Sequence, residues 1–284
     1  MTDSTPIDEF ATVSAASGPL RLAYQSFGKR DDPVFLLLTG WFSDLTLWPR
    51  GFCEVLASGG FRVIRYDHRD AGLSTRTDID VVDPDNPPYT MSDLAADAVG
   101  LLDALGIAKA HVAGFAFGAT ISHLVAIEHP DRVLSLVSLA TTTGRRTRPR
   151  RPRRAMPPFP TDPEGLSRLH KERFADMARE SFDEEDYEAR RQESAQRGAA
   201  LARGDIQSAI MPTAGDRTER LGQVRVPVLV VHPQEDPLLS LEVSKFHAEC
   251  FPDAKLLILD GIGHGVLPER HWTKLADGMQ ERTL

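Results

Sequence analysis

The stretch AKAHVAGFAFGATISHLVAIE, Ala108 to Glu128, constrains this chain more than any other. A strand-like run, Ala108 to Ala113, and a helix-like run, Ala119 to Glu128, meet across Gly114-Phe115-Ala116-Phe117-Gly118. So short a junction is a sharp turn. Its central residue must take a strained conformation, and its flanks must be small for strand and helix to pack closely. Glycine stands at both flanks. His129-Pro130 then stops the helix.

The rest of the chain repeats this alternation. Phe10 to Ala16 and Leu20 to Phe27 flank Ser17-Gly18-Pro19, which predicts a hairpin. Val34 to Leu38 (VFLLL) is apolar throughout, as in a strand buried on both faces. Phe61 to Tyr66 is another strand, entered through Gly59-Gly60, and residues 83–88 (DPDNPP) are a loop. Thr90 with Asp93 forms a capping-box pattern; Leu94, Ala98, Leu101, Leu102 and Leu105 then share one helix face, and Gly106 closes it. Val133 to Leu139, Val226 to His232 and Lys255 to Leu259 are further strands. The class is α/β, a mostly parallel sheet with helices on both faces.

Between about residues 144 and 222 the alternation fails. GRRTRPRRPRR carries seven arginines from Arg145 to Arg154, and two charged helical stretches follow, over roughly 164–180 and 183–203. We read 1–143 with 223–284 as the core and 144–222 as an inserted helical lid. The arginine run reads as a solvated linker, since charge blocks are usually solvated; a grip on a carboxylated or phosphorylated substrate is the alternative.

The glycine-bracketed turn has the form of a nucleophile elbow, G-x-S-x-G, with alanine at 116 where the hydroxyl would stand. In that order an acid and then a histidine follow the elbow. Asp236 comes just after the strand ending at His232, with Glu235 beside it as a rival, and Glu235-Asp236 is followed by Pro237. His264 lies between Gly263 and Gly265 after the last strand. Positions 116, 236 and 264 thus all fall at carboxyl ends of strands, where open α/β sheets bind ligands.

These motifs resemble the α/β-hydrolase superfamily over nearly the whole chain. FRVIRYDHRDAGLST, DLAADAVGLLDALGI and AHVAGFAFGAT resemble the aclacinomycin methylesterase-like hydrolases of polyketide pathways. The resemblance implies that Asp236 orients the imidazole, that His264 is the general base, and that the backbone N–H groups of Trp41 and Phe117 form an oxyanion hole. Asp67 and Arg69 match the family's D-x-R segment and are read as fastening its loop; His68 and Asp70 receive no role. Phe115 and Phe117 are candidates for the pocket wall, and core packing is an equal alternative for Phe115. The implied substrate is a small apolar molecule, an ester of carboxylic type or a polyketide.

Ala116 leaves three readings open: a serine esterase whose nucleophile was exchanged by design or lost naturally, a natural non-hydrolytic enzyme (decarboxylase, cyclase or lyase) using His264 as base, or a non-catalytic binding protein. The net charge of −8 argues against a nucleic-acid-coating surface. Cys53 and Cys250 stand far apart, which speaks against a disulfide framework or a zinc site, and no cofactor or metal is expected. The polar, acidic first ten residues lack a signal-peptide pattern, and no apolar run is long enough to span a membrane, so a cytoplasmic protein is expected. A homo-oligomer stays open, because an apolar side of a lid helix serves a pocket or a dimer equally.

Overall fold

The computed structural model describes residues 6–145, 159–265 and 267–283. Eight strands form one sheet: β1 (Glu9–Ala15), β2 (Gly18–Phe27), β3 (Val34–Leu38), β4 (Arg62–Tyr66), β5 (Ala110–Phe115), β6 (Val133–Leu139), β7 (Val228–Pro233) and β8 (Ala254–Leu259). Their order is β1-β2-β4-β3-β5-β6-β7-β8. The β1–β2 hairpin and the β2–β4 pair are antiparallel; every later pair is parallel.

The all-apolar strands explain the layering. Along β3, Leu36 and Leu38 enter one core layer while Phe35 and Leu37 enter the other. Alternate side chains must leave opposite faces of a strand, so both faces need covering. Helices α2 (Met91–Ala104) and α3 (Phe117–Glu128) cover the first face, and α8 (Leu241–Glu249) adjoins it through Ala248. Helices α1 (Arg50–Ser58) and α9 (Trp272–Gln280) cover the second. Between β6 and β7 lie α4 (Pro163–Ala178), α5 (Glu184–Gln196), α6 (Gly204–Ile210) and α7 (Thr218–Leu221). Phe174 of α4 and Tyr187 of α5 pack with Leu47 and Phe115, so these helices rest over the carboxyl ends of the strands. Among the described residues no helix is long and apolar enough to cross a membrane.

The capping box is present: Thr90 Oγ1 accepts from Asp93 N–H at 3.2 Å, and Asp93 Oδ2 accepts from Thr90 N–H at 2.7 Å. Thr90→Ala is expected to cost about 1 kcal/mol in urea unfolding, because it orphans an amide at the helix start.

Several boundaries differ from the sequence expectation; β2, for one, begins at Gly18, inside the expected Ser17-Gly18-Pro19 turn. The second charged helix ends at Gln196, not near 203. Gly198 turns left-handed at φ 71, and Ala200 then bridges antiparallel to Gly72. The expected five-residue turn shrinks to Ala116 alone, because β5 continues through Phe115 and α3 begins at Phe117. The strand expected from Val226 starts at Val228, after Pro227, which has no N–H for a ladder. Helices α1, α6, α7, α8 and α9 were unassigned in the sequence. Of the arginine run, Arg145 is described, exposed with its guanidinium over the Phe246 ring; the remainder to Arg154 lies outside the described residues.

Candidate active site

The turn between β5 and α3 is built by backbone sterics. Ala116 sits at φ 49, ψ −101, a conformation that residues bearing Cβ rarely adopt. Its N–H donates to Leu139 O of β6 at 2.8 Å, and its carbonyl accepts from Thr120 N–H at 3.1 Å. Both flanking glycines are required by contact. A Cβ on Gly114 would lie 2.3 Å from Gly118 O, and one on Gly118 would lie 2.4 Å from both Leu38 O and Thr39 O. Gly118→Ala is therefore expected to destabilise the chain by about 1–3 kcal/mol, through forced backbone shifts, in a denaturant titration.

Asp236 and His264 meet at the carboxyl ends of β7 and β8. Asp236 Oδ2 accepts from His264 Nδ1–H at 2.6 Å. The other oxygen, Oδ1, accepts from Leu238 N–H at 2.7 Å and Leu239 N–H at 3.0 Å. The carboxylate is thus held by three donors, and Nε2 of the imidazole is left as the acceptor. Glu235, the rival acid, is exposed. The ring of Phe115 packs 5.2 Å from that of His264, centroid to centroid.

The loop carrying His264 is fastened to α4 as well as to the sheet. His264 N–H donates to Met177 O at 2.9 Å, and Gly263 N–H donates to Ser181 Oγ at 2.9 Å. A Cβ on Gly263 would stand 2.5 Å from Ala178 O, so glycine is needed for this approach.

Trp41 follows β3. Its backbone N–H has no hydrogen bond among the described residues, and Phe117 N–H is the first amide of α3, without an acceptor in its helix. Helix α6 holds the Trp41 segment. Trp41 Nε1 donates to Ser208 Oγ at 3.0 Å and Gly204 O at 3.2 Å. Phe42, left-handed at φ 58, donates its N–H to Gln207 Oε1 at 2.6 Å. Gln207 and Ser208 carry no sequence signal for this task, since they lie in the inserted segment more than 160 residues away in sequence.

Trp41, Ala116, Phe117 and His264 line one cavity of about 840 Å³, which Met177, Met211, Leu238 and Leu239 also wall. The volume suits a small or medium organic ligand.

Around this site the DHRD segment is structural. Asp67 accepts from Leu45 N–H at 2.8 Å, Leu73 N–H at 2.9 Å and Arg197 Nη2 at 2.8 Å. Burial nevertheless raises its carboxyl to about 6, against the lowering pull of Arg197. Arg69 makes a buried two-pronged pair with Asp97, at 2.6 Å and 2.5 Å. His68 is buried, with Nε2 3.3 Å from Thr39 O, and burial lowers it to about 4, so it is neutral. Asp70 accepts from Thr77 N–H at 2.6 Å and Thr77 Oγ1 at 2.8 Å. None of these four lines the cavity.

Residues 33–270 match the family model described as the alpha/beta hydrolase fold. The chain belongs to the α/β-hydrolase fold family. Over 267 residues this α/β hydrolase is 28% identical to rhodomycin D methylesterase DauP of a Streptomyces species, covering 85% of this chain and 88% of that one. It is 30% identical over 268 residues to a putative carbamate hydrolase RutD of Azorhizobium caulinodans, covering 88% of this chain and 90% of that one. An enol-lactonase structure from Burkholderia xenovorans superposes with a TM-score of 0.74 at 20% identity, covering 95% of this chain and 99% of that one. That last likeness concerns the fold.

Proposed function

We propose that this α/β hydrolase is built for carboxylic-ester chemistry and carries Ala116 where its nucleophilic serine belongs. One observation carries the reading: the strained backbone of Ala116, at φ 49, opens on the same cavity as the hydrogen-bonded His264–Asp236 pair. A strained turn of this kind costs of order 1–3 kcal/mol and serves to aim a side chain out of the sheet. A methyl group gains nothing from being aimed.

With serine at that position, Oγ would attack the ester carbon while its proton passed to Nε2 of His264. The carbonyl oxygen would take up charge against the N–H groups of Trp41 and Phe117. Collapse would break the C–O bond, with His264 returning the proton to the departing alcohol and leaving an acyl-enzyme for water. The chain as it stands binds an ester in this cavity and cannot form the acyl-enzyme. The inserted segment 144–222 acts as the cap, because α4 and α6 hold the His264 and Trp41 segments. The substrate is a small or medium ester with an apolar body; the methylesterase relative favours a polyketide-type methyl ester.

A second reading is favoured by the complete Asp236–His264 pair beside a missing nucleophile. His264 would remove a proton from a carbon acid, and the Trp41 and Phe117 amides would hold the enolate. The test is a paired assay of the chain and its Ala116→Ser variant on short-chain chromogenic esters and aromatic methyl esters. Hydrolysis gained by the variant supports the first reading. A folded but inert variant, together with His264-dependent proton exchange on a carbon acid by the unaltered chain, supports the second.

A further inference from the structure

The cavity has one wall unlike the rest. Thr120 and Thr141, whose hydroxyls lie 3.2 Å apart, and Thr142, Asp216 and Arg217 face the apolar side chains of Trp41, Met177, Met211 and Leu238. Arg217 is the unusual member. It is only 3% exposed. Its guanidinium donates to Thr142 O at 2.9 Å, Gly215 O at 2.9 Å, Ala214 O at 3.4 Å and His123 Nδ1 at 3.4 Å. Every one of these acceptors is neutral, and a guanidinium has five N–H groups, so one on Nη2 has no acceptor among the described residues.

Among the described residues no carboxylate pairs with Arg217. Neighbouring Asp216 attracts Arg217 through charge but makes no hydrogen bond to it; it is exposed, so solvent screens that attraction, and it directs one oxygen to Thr218 N–H at 2.9 Å and Thr218 Oγ1 at 2.6 Å. The rings close by add no counter-charge. Burial pushes His123 well below its ordinary range and His247 down to about 3, so both are neutral. Burial lowers Arg217 too, to about 10, which leaves it cationic at neutral pH. Tying the loop after β6 to the 214–215 turn explains where the side chain lies. It does not explain a buried guanidinium with no carboxylate hydrogen-bonded to it and only the exposed Asp216 attracting it from outside, an arrangement that is unfavourable in a protein interior.

We infer that the cavity takes an ester bearing a second, ionised carboxyl group, and that this carboxylate pairs with Arg217. The inference rests on the ester reading above and names its substrate class: an apolar body, a reacting ester near Ala116 and His264, and an anionic end on the polar wall. A carboxylate there completes the Nη2 donor and compensates the guanidinium, and charge-assisted hydrogen bonds are the strong ones.

The missing nucleophile makes the test direct, since an ester stays intact on the unaltered chain. Calorimetric titration with monomethyl terephthalate and with its neutral analogue, the methyl ester of terephthalamic acid, compares carboxylate with carboxamide at nearly constant shape. The carboxylate is expected to bind about tenfold tighter or more at low salt. That preference should shrink as salt rises and vanish in Arg217→Met. Equal affinity for the two ligands in the unaltered chain overturns the inference, whether or not Arg217→Met folds. Hydrolysis of neutral aryl methyl esters by the Ala116→Ser variant, alongside equal affinities, would leave the ester reading standing and this inference refuted. If neither ligand binds and the Ala116→Ser variant is inert, both fall.

Discussion

Ala116→Ser is expected to raise ester hydrolysis by roughly 10⁴–10⁶ in kcat on a substrate that fits the cavity, the range lost when one member of a serine triad is removed elsewhere. The size of the gain follows from what is already assembled. The Asp236–His264 hydrogen bond is 2.6 Å, Asp236 is held by two further N–H donors, and Trp41 and Phe117 line the same cavity. On the proposed ester reading, the added hydroxyl oxygen is the one missing part. The variant inherits a backbone already bent to φ 49, so no rearrangement has to accompany it. Adding His264→Ala to Ala116→Ser should return the rate to near that of the unaltered chain, because nucleophile and base act as a unit and their losses do not add. A double variant that retained most of the gain would remove His264 from the mechanism.

Between pH 7 and pH 5 the chain is expected to lose at least about 3 kcal/mol of unfolding free energy, through histidines buried in their neutral form. Burial lowers His68 and His111 to about 4, lowers His170 and His247 to about 3, and lowers His123 well below its ordinary value. In the unfolded chain each takes up a proton near pH 6.5; in the folded chain none does at pH 5. The unfolded state then binds more protons, so stability is full above pH 6.5 and falls as pH drops below it, by up to about 1.4 kcal/mol per histidine per pH unit. Asp67, raised to about 6 by burial, works in the opposite sense between its ordinary value and 6, and offsets about one histidine. Urea midpoints at pH 7, 6 and 5 check the slope; a loss under about 1 kcal/mol would contradict it. His247 offers a sharper check, because neither ring nitrogen has a partner among the described residues. His247→Phe should flatten the acid slope by about one histidine's share and leave stability at pH 7 unchanged or higher.

Much of the architecture was legible before any coordinates. The apolar strands, the β1–β2 hairpin and the Thr90 capping box each depend on residues close in sequence; the capping box forms as the pattern has it, and the strands lie within about two residues of their expected bounds. The helices of the inserted segment were harder. Helix α5 carries few apolar positions, so its end was set by the left-handed turn at Gly198 and by Arg197 reaching Asp8 and Asp67, neither of which helical periodicity reveals. Helix α6, only seven residues long, is too short for a periodic signal.

The candidate site divides in the same way. Chain order placed Ala116, Asp236 and His264 after three strands, and parallel neighbours in a sheet bring such positions to one edge whatever lies between them. The glycines at 114 and 118 announced the turn, because only glycine tolerates contacts of 2.3–2.4 Å from its Cβ position. Tertiary structure alone decided the remainder: Gln207 on the Phe42 amide across 165 residues, Ser181 on the Gly263 amide across 82, and Arg217 among neutral acceptors on the cavity wall. Local dihedrals and periodicity are properties of a short window of sequence. Which side chain satisfies a distant amide, or leaves a buried guanidinium without a hydrogen-bonded carboxylate, depends on how the inserted helices lie across the sheet, and no window contains that.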